Sequence, residues 1–164
     1  MPKPSRPANK TAAELEQAQA SASLDFCLRM TRAHASLTRR LDNALSAVHG
    51  LSFADFQILY YLDRAPGGRL RRIDLAERLG VTASGVTRSL LPLEKLGLVT
   101  RQPDPRDARV GYATLSAAGR QLLKYALVSL QPITLEATHS VSAGRLAELS
   151  AWLTDLAGIH LSHG

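Results

Sequence analysis

A mainly α-helical fold with one small β-hairpin is predicted by this sequence, and three observations predict it. Residues 70–119 read as a helix, a tight turn, a second helix and a hairpin. The chain on either side of that stretch places apolar residues at helical spacing over long segments. Those flanking segments hold more apolar surface than so small a central unit can cover, which predicts a helical frame that pairs with a second copy.

The elements follow in order. Residues 1–10, MPKPSRPANK, are rich in proline and basic side chains and are expected to be disordered. Residues 11–23 are rich in Ala, Glu and Gln and read as a frayed helical extension. Leu24, Leu28, Ala33, Leu37, Leu41, Leu45 and Val48 then keep helical spacing up to Gly50, with Arg29, Arg32, Arg39 and Arg40 on the same segment. Ser52 is placed to cap the next helix, with Asp55 three residues on in a box-like arrangement. That helix, with Phe53, Phe56, Ile58, Leu59, Tyr60 and Leu62, is apolar enough to be central, and Pro66-Gly67-Gly68 ends it. Residues 69–71 suit a short strand pairing with the hairpin.

Gly80 suits the left-handed position after the first helix of the central stretch, and Thr82 the N-cap of the second. In the second helix Val86, Leu90 and Leu93, with Leu96 one step further, form a stripe facing the core. Pro92 removes the bond to the Arg88 carbonyl and is expected to bend the helix there. The hairpin is read as residues 98–101 and 110–115 around a tip at 102–109, where Pro103 and Pro105 keep the tip out of the ladder. Ser116 caps a helix running to about Thr138, with a kink expected at Pro132, and Ser142 caps the last helix, which holds Leu146, Leu149, Trp152, Leu153, Leu156 and Ile159.

The chemistry of the central stretch suits DNA. Opposite its apolar stripe the second helix presents Ser84, Gly85, Thr87 and Arg88, with Thr82 at its start. Small side chains let a backbone approach the major groove, hydroxyls reach phosphates or bases, and an arginine can bond bidentately to guanine. An ordinary solvated helix face would be richer in Glu and Lys. The hairpin adds Arg101, Arg106 and Arg109, which can follow the phosphate backbone or enter a minor groove, while Asp107 is expected to pair with Arg106 or Arg109 and orient it.

Helix, turn, helix, then a hairpin bearing DPRDAR and the run ATLSAAGR, resembles the winged helix-turn-helix of MarR family transcriptional regulators. VTASGVTRSLLPLEKLGLV is similar to the family's recognition helix, and RQPDPRDARVGYATLSAAG to its wing and the turn beyond. The likeness spans about residues 24–160. It implies a winged helix-turn-helix region at 52–115, a helical dimerisation region at 23–51 and 116–164, and a flexible basic extension at 1–22. Two departures stand out. Ala108 occupies a position where many members are basic, which leaves the tip contact open between Arg106 and Arg109. Arg71 stands where Ser or Thr commonly caps, implying a weaker helix start or a phosphate contact. The resemblance further implies a homodimer on a palindromic operator in double-stranded DNA, acting as a repressor released by a small aromatic or phenolic acid. That effector would lie near His34, Arg39, Arg40, His49, Phe53, Phe56 and Tyr60. Peroxide-sensing members hold a reactive Cys near the place of Cys27, which Arg29 and Arg32 are positioned to activate. No Tyr lies between Cys27 and Phe53, however, so the expected role of Cys27 is that of a small packed apolar residue, with a redox-switched regulator as the alternative reading.

Composition bounds the function classes. The chain has 164 residues, 45% hydrophobic, with a net charge of +6, which favours a polyanionic partner. Its single Cys excludes an intrachain disulfide and fits a reducing compartment. No run of roughly 18 apolar residues is present, and no signal-peptide core precedes the helices, so a cytoplasmic protein with no membrane partner is expected. His160 and His163 lack a carboxylate or Cys beside them, so no metal and no cofactor are expected. An enzyme is not expected, because no nucleophile–base spacing or phosphate-cradling glycine loop occurs. A protein-interaction adaptor without DNA is the reading from another class, and it leaves the three hairpin arginines without a purpose.

Overall fold

The computed structural model describes residues 11–104 and 111–158. The chain divides into an N-terminal unit, Met1–Arg39, and a second unit, Arg40–Gly164. Helix α1, Ala12–His49, begins in the first and ends in the second.

In the first unit the helix starts at Ala12, well before Leu24. Thr11 and Glu14 explain that start. The Glu14 amide donates to Thr11 Oγ1 at 3.3 Å and the Thr11 amide to Glu14 Oε2 at 2.7 Å, a reciprocal cap that a frayed end would lack. Leu24, Phe26 and Leu28 are exposed. Cys27 is an exposed free thiol, which corrects the expectation that it packs as an apolar residue. The Arg29 guanidinium expected to act on it is paired with Asp25 at 2.8 Å, the i,i+4 partner on its own helix.

The second unit holds α2 (Phe53–Asp63), a 3-10 turn (Pro66–Gly68), β1 (Arg69–Arg71), α3 (Arg72–Leu79), α4 (Ala83–Lys95), β2 (Val99–Pro103), β3 (Gly111–Leu115), α5 (Ala117–Thr138) and α6 (Ala143–Leu156). Ser52 and Asp55 form the full capping box at α2. Ser116 and Ser142 cap α5 and α6 as their spacing predicts. The three strands form an antiparallel sheet in the order β1-β3-β2, with Leu70 opposite Ala113 and Thr100 opposite Thr114. This is the winged helix-turn-helix fold.

The core is apolar throughout: among the described residues no polar or charged residue is buried. Leu45 from α1, Ile58, Leu59 and Leu62 from α2, Leu75 from α3, Leu90 and Leu93 from α4 and Leu123 from α5 are fully buried. Each such side chain contributes about 1.5–3 kcal/mol on burial. Helix α2 is the hub, packing on α3, α5 and β3. Gly119 permits one close approach. A Cβ there would collide with the Leu98 carbonyl and the Leu115 side chain, so only glycine lets α5 lie on the strand entry. Ser116 secures the same joint, its hydroxyl donating to the Gly97 carbonyl at 2.7 Å and its amide to the Leu98 carbonyl at 3.1 Å.

Two expectations change here. Leu96 does not extend the buried stripe of α4 but is 66% exposed. The helix ends at Lys95, Gly97 turns left-handed (φ 69°), and the Leu98 amide donates to the Leu93 carbonyl. This reversal hands the buried place to Leu98 instead. Pro103 does not stay out of the ladder: β2 continues to it, opposite Gly111. The sheet order makes β2 an edge strand, the place in a sheet where a proline facing outward is tolerated. Helices α4 and α5 both run on through Pro92 and Pro132 as single helices. Among the described residues no helix is long and apolar enough to cross a membrane.

Candidate nucleic-acid interface

The turn between α3 and α4 forms as its residues dictate. Gly80 adopts φ 66°, and the Val81 amide donates to the Ala76 carbonyl at 3.0 Å, closing α3. Thr82 then caps α4, its hydroxyl accepting from the Gly85 amide at 3.1 Å. Gly85 leaves room for that cap, because a Cβ there would stand 3.3 Å from Thr82 Oγ1. With Val86, Leu90 and Leu93 buried, the first two turns of α4 present Ser84, Gly85, Thr87 and Arg88 outward, Ser84 and Arg88 being exposed.

The hydroxyls of this face are not equally available. Thr82 Oγ1 is committed to its cap. Thr87 Oγ1 donates to the Ala83 carbonyl at 3.0 Å and lies 3.4 Å from Arg72 Nη1. Ser84 and Arg88 have no side-chain partner among the described residues.

Arg71 does not cap α3 with its side chain. Its Nε and Nη2 hold both carboxylate oxygens of Asp74 at 2.8 and 2.9 Å. That fork, by its hydrogen bonds first and its charge second, raises the guanidinium above its ordinary pKa. Arg101 stands opposite Ala113 in the ladder, 3.8 Å from Glu94 Oε1 near the end of α4. Arg106, Asp107 and Arg109 lie outside the described residues, as do Ala108, His160 and His163.

Between α4, the start of α3 and the foot of the wing lies a cleft of about 380 Å³, lined by Arg71, Arg72, Ile73, Ala83, Ser84, Thr87 and Gly111. The sequence reading missed Arg72, Ile73 and Gly111. Ile73 is 65% exposed beside the reading helix, an apolar side chain turned to solvent on a short helix. A lone glycine within a predicted strand was the available signal, since it marks a place where something approaches the backbone closely.

The residues expected at an effector site divide. Phe53, Phe56 and Tyr60 come together, stacked in sequence at 6.0 and 5.8 Å between ring centres. They line a groove of about 540 Å³ with Leu41, Leu127, Val128, Leu130, Gln131 and Thr134. Arg40 and His49 do not line it: Arg40 pairs with Glu136 at 2.5 Å, and His49 Nε2 lies 2.8 Å from Ser129 Oγ. His34 and Arg39 belong to the N-terminal unit, where His34 Nε2 lies 3.5 Å from Thr38 Oγ1 and Arg39 is exposed. Among the described residues no group of three His, Cys, Asp or Glu side chains is placed to hold a metal.

A model of the MarR family matches residues 49–110, from the end of α1 into the wing. No curated protein sequence matches the chain. Among solved structures, Sco3205, a MarR family transcriptional regulator from Streptomyces coelicolor in complex with DNA, is similar with a TM-score of 0.72. It is 24% identical over 97% of this chain and 95% of its own. The transcriptional regulator BldR from Sulfolobus solfataricus has a TM-score of 0.74 at 26% identity, covering 85% of this chain and 98% of its own. A mutant MarR from E. coli complexed with operator DNA has a TM-score of 0.70 at 23% identity, covering 82% and 95%.

Proposed function

We propose that this chain, which a MarR family model matches over residues 49–110, is a DNA-binding transcriptional regulator of that winged helix-turn-helix kind, a cytoplasmic repressor that reads a palindromic operator as a homodimer. It is not an enzyme; its function is recognition. The observation that carries the reading is the exposed face of α4, where Ser84, Gly85 and Arg88 stand over a buried Val86-Leu90-Leu93 stripe. In this reading α4 enters the major groove, Arg88 contacts a base, and the wing arginines Arg101, Arg106 and Arg109 contact backbone or minor groove, with Asp107 orienting one of them. Thr82, Ser84 and Thr87 lie against phosphates or base edges. Arg71, forked on Asp74, serves the backbone as a held charge.

The dimer follows from apolar surface that the single chain leaves open. On α6, Leu149, Trp152, Leu153 and Leu156 are 42–51% exposed. A C2 pair would cover them and set two α4 helices about one DNA turn apart. Release requires a ligand that binds better to a spacing the operator does not match. The groove beside Phe53, Phe56 and Tyr60 supports a flat aromatic ligand, with Arg40 and His49 available to an acid only by giving up Glu136 and Ser129.

The test is a footprint of the full chain on DNA upstream of its own coding region, repeated with a panel of aromatic acids and with peroxide. A protected palindrome, lost with one acid, is expected. Loss with peroxide alone would move the switch to Cys27, whose exposure favours that second reading. Binding without sequence preference would overturn the operator reading, and no binding at moderate salt would favour an adaptor. Within a bound operator, Arg88→Ala is expected to cost about 1–3 kcal/mol and to change base preference, measured by titration against single-base variants.

A further inference from the structure

Arg72 stands where three elements meet. It opens α3, its Nη1 lies 3.4 Å from Thr87 Oγ1 on α4, and its guanidinium crosses Gly111, the first residue of β3. A Cβ on Gly111 would stand 3.0 Å from Arg72 Nε and 3.2 Å from Cζ. Gly111 is not among the glycines with positive φ, so its backbone does not demand glycine; a Cβ there would instead crowd the guanidinium, which would have to give by a few tenths of an ångström. Thr87 gives its hydroxyl hydrogen to the Ala83 carbonyl at 3.0 Å, which leaves only lone pairs to face Arg72. Arg72 is half-buried in this bracket, whereas Arg71 is exposed and forked on Asp74, and Arg88 is exposed.

We propose that Arg72 is a positioning residue of the reading surface: it braces the first turns of α4 against the foot of the wing and so governs which bases Ser84 and Thr87 accept. The inference rests on the DNA-reading assignment of α4 and deepens it. A planar guanidinium can span from the Thr87 hydroxyl across Gly111, and a lysine ammonium, a point charge on a flexible stem, cannot hold both ends.

The experiment compares the full chain with Gly111→Ala, Arg72→Met, the double variant and Arg72→Lys. Each is titrated with the protected operator and its single-base variants at two salt concentrations, and each is melted without DNA. Gly111→Ala and Arg72→Met are each expected to flatten base preference on the order of ten-fold at positions facing α4, and the double variant to be no flatter than either. Arg72→Lys is expected to keep the salt dependence of the parent while losing preference as Arg72→Met does. Restored preference in Arg72→Lys, or effects that multiply in the double variant, would overturn the bracket. If the parent itself discriminates no DNA, the operator reading fails, and the melts still judge the bracket. Non-additive shifts in Tm support it and additive shifts overturn it.

Discussion

Helices α4 and α6 are near twins in sequence terms and opposites in the fold. They run 13 and 14 residues, each starts from a hydroxyl N-cap, and each has one apolar face. Helix α4 buries Val86, Leu90 and Leu93 to 1% exposure or less, while α6 buries no residue, and its Trp152 and Leu153 remain 42% and 48% exposed. Amphipathic spacing therefore states that a helix has a face to cover, but not what covers it. For α4 the cover is α3 and β2 of its own chain. For α6 the described residues leave that face exposed, and in the proposed dimer a second copy covers it.

The comparison can be broken most severely at Leu90. Leu90→Ala is expected to lower the unfolding free energy by about 2–5 kcal/mol, read by urea denaturation, because the surrounding core cannot collapse into the space. A loss of under about 1 kcal/mol would mean the α4 face is not the sealed one. Next comes Leu153→Ala, expected to weaken self-association on the order of ten-fold in sedimentation equilibrium, as a central apolar interface residue does. Unchanged self-association would mean that α6 has a different cover. The smallest effect separates the two helix starts. Thr82→Ala and Ser142→Ala are each expected to cost about 1 kcal/mol in thermal melts. The cost should be larger at Thr82, whose cap bond is 3.1 Å against 3.4 Å at Ser142.

What the chain declares about itself follows the same divide between local and distant causes. The caps at Ser52, Thr82, Ser116 and Ser142 and the left-handed Gly80 were readable because each is settled within a few residues. So was the outward face of α4, a matter of helical period. The hairpin strand was misjudged at Pro103 because a proline is tolerated only on an edge, and edge position is decided by where β1 docks. Leu96 was misjudged because Gly97 reverses the chain one residue later and substitutes Leu98. The Arg71–Asp74 fork had a legible i,i+3 spacing. Arg72 did not, since its two contacts lie on α4 and β3, far along the chain. In the groove beside α2 the three aromatic rings share one helix and come together. Arg40 and His49, expected beside them, sit on α1 and engage Glu136 and Ser129 of α5.

The joint at Ser116 has a mechanical meaning. Two bonds from one serine, and a glycine at position 119 that admits the Leu98 carbonyl, fasten the end of the reading helix to the start of a 22-residue helix, roughly 33 Å long. Such a joint ties the start of α5 to the end of α4, so a turn of α5 would be carried toward α4. In a paired molecule the two α5 helices would then act as rigid levers, and a small change in the angle between them would be enough to take both reading helices out of step with the groove.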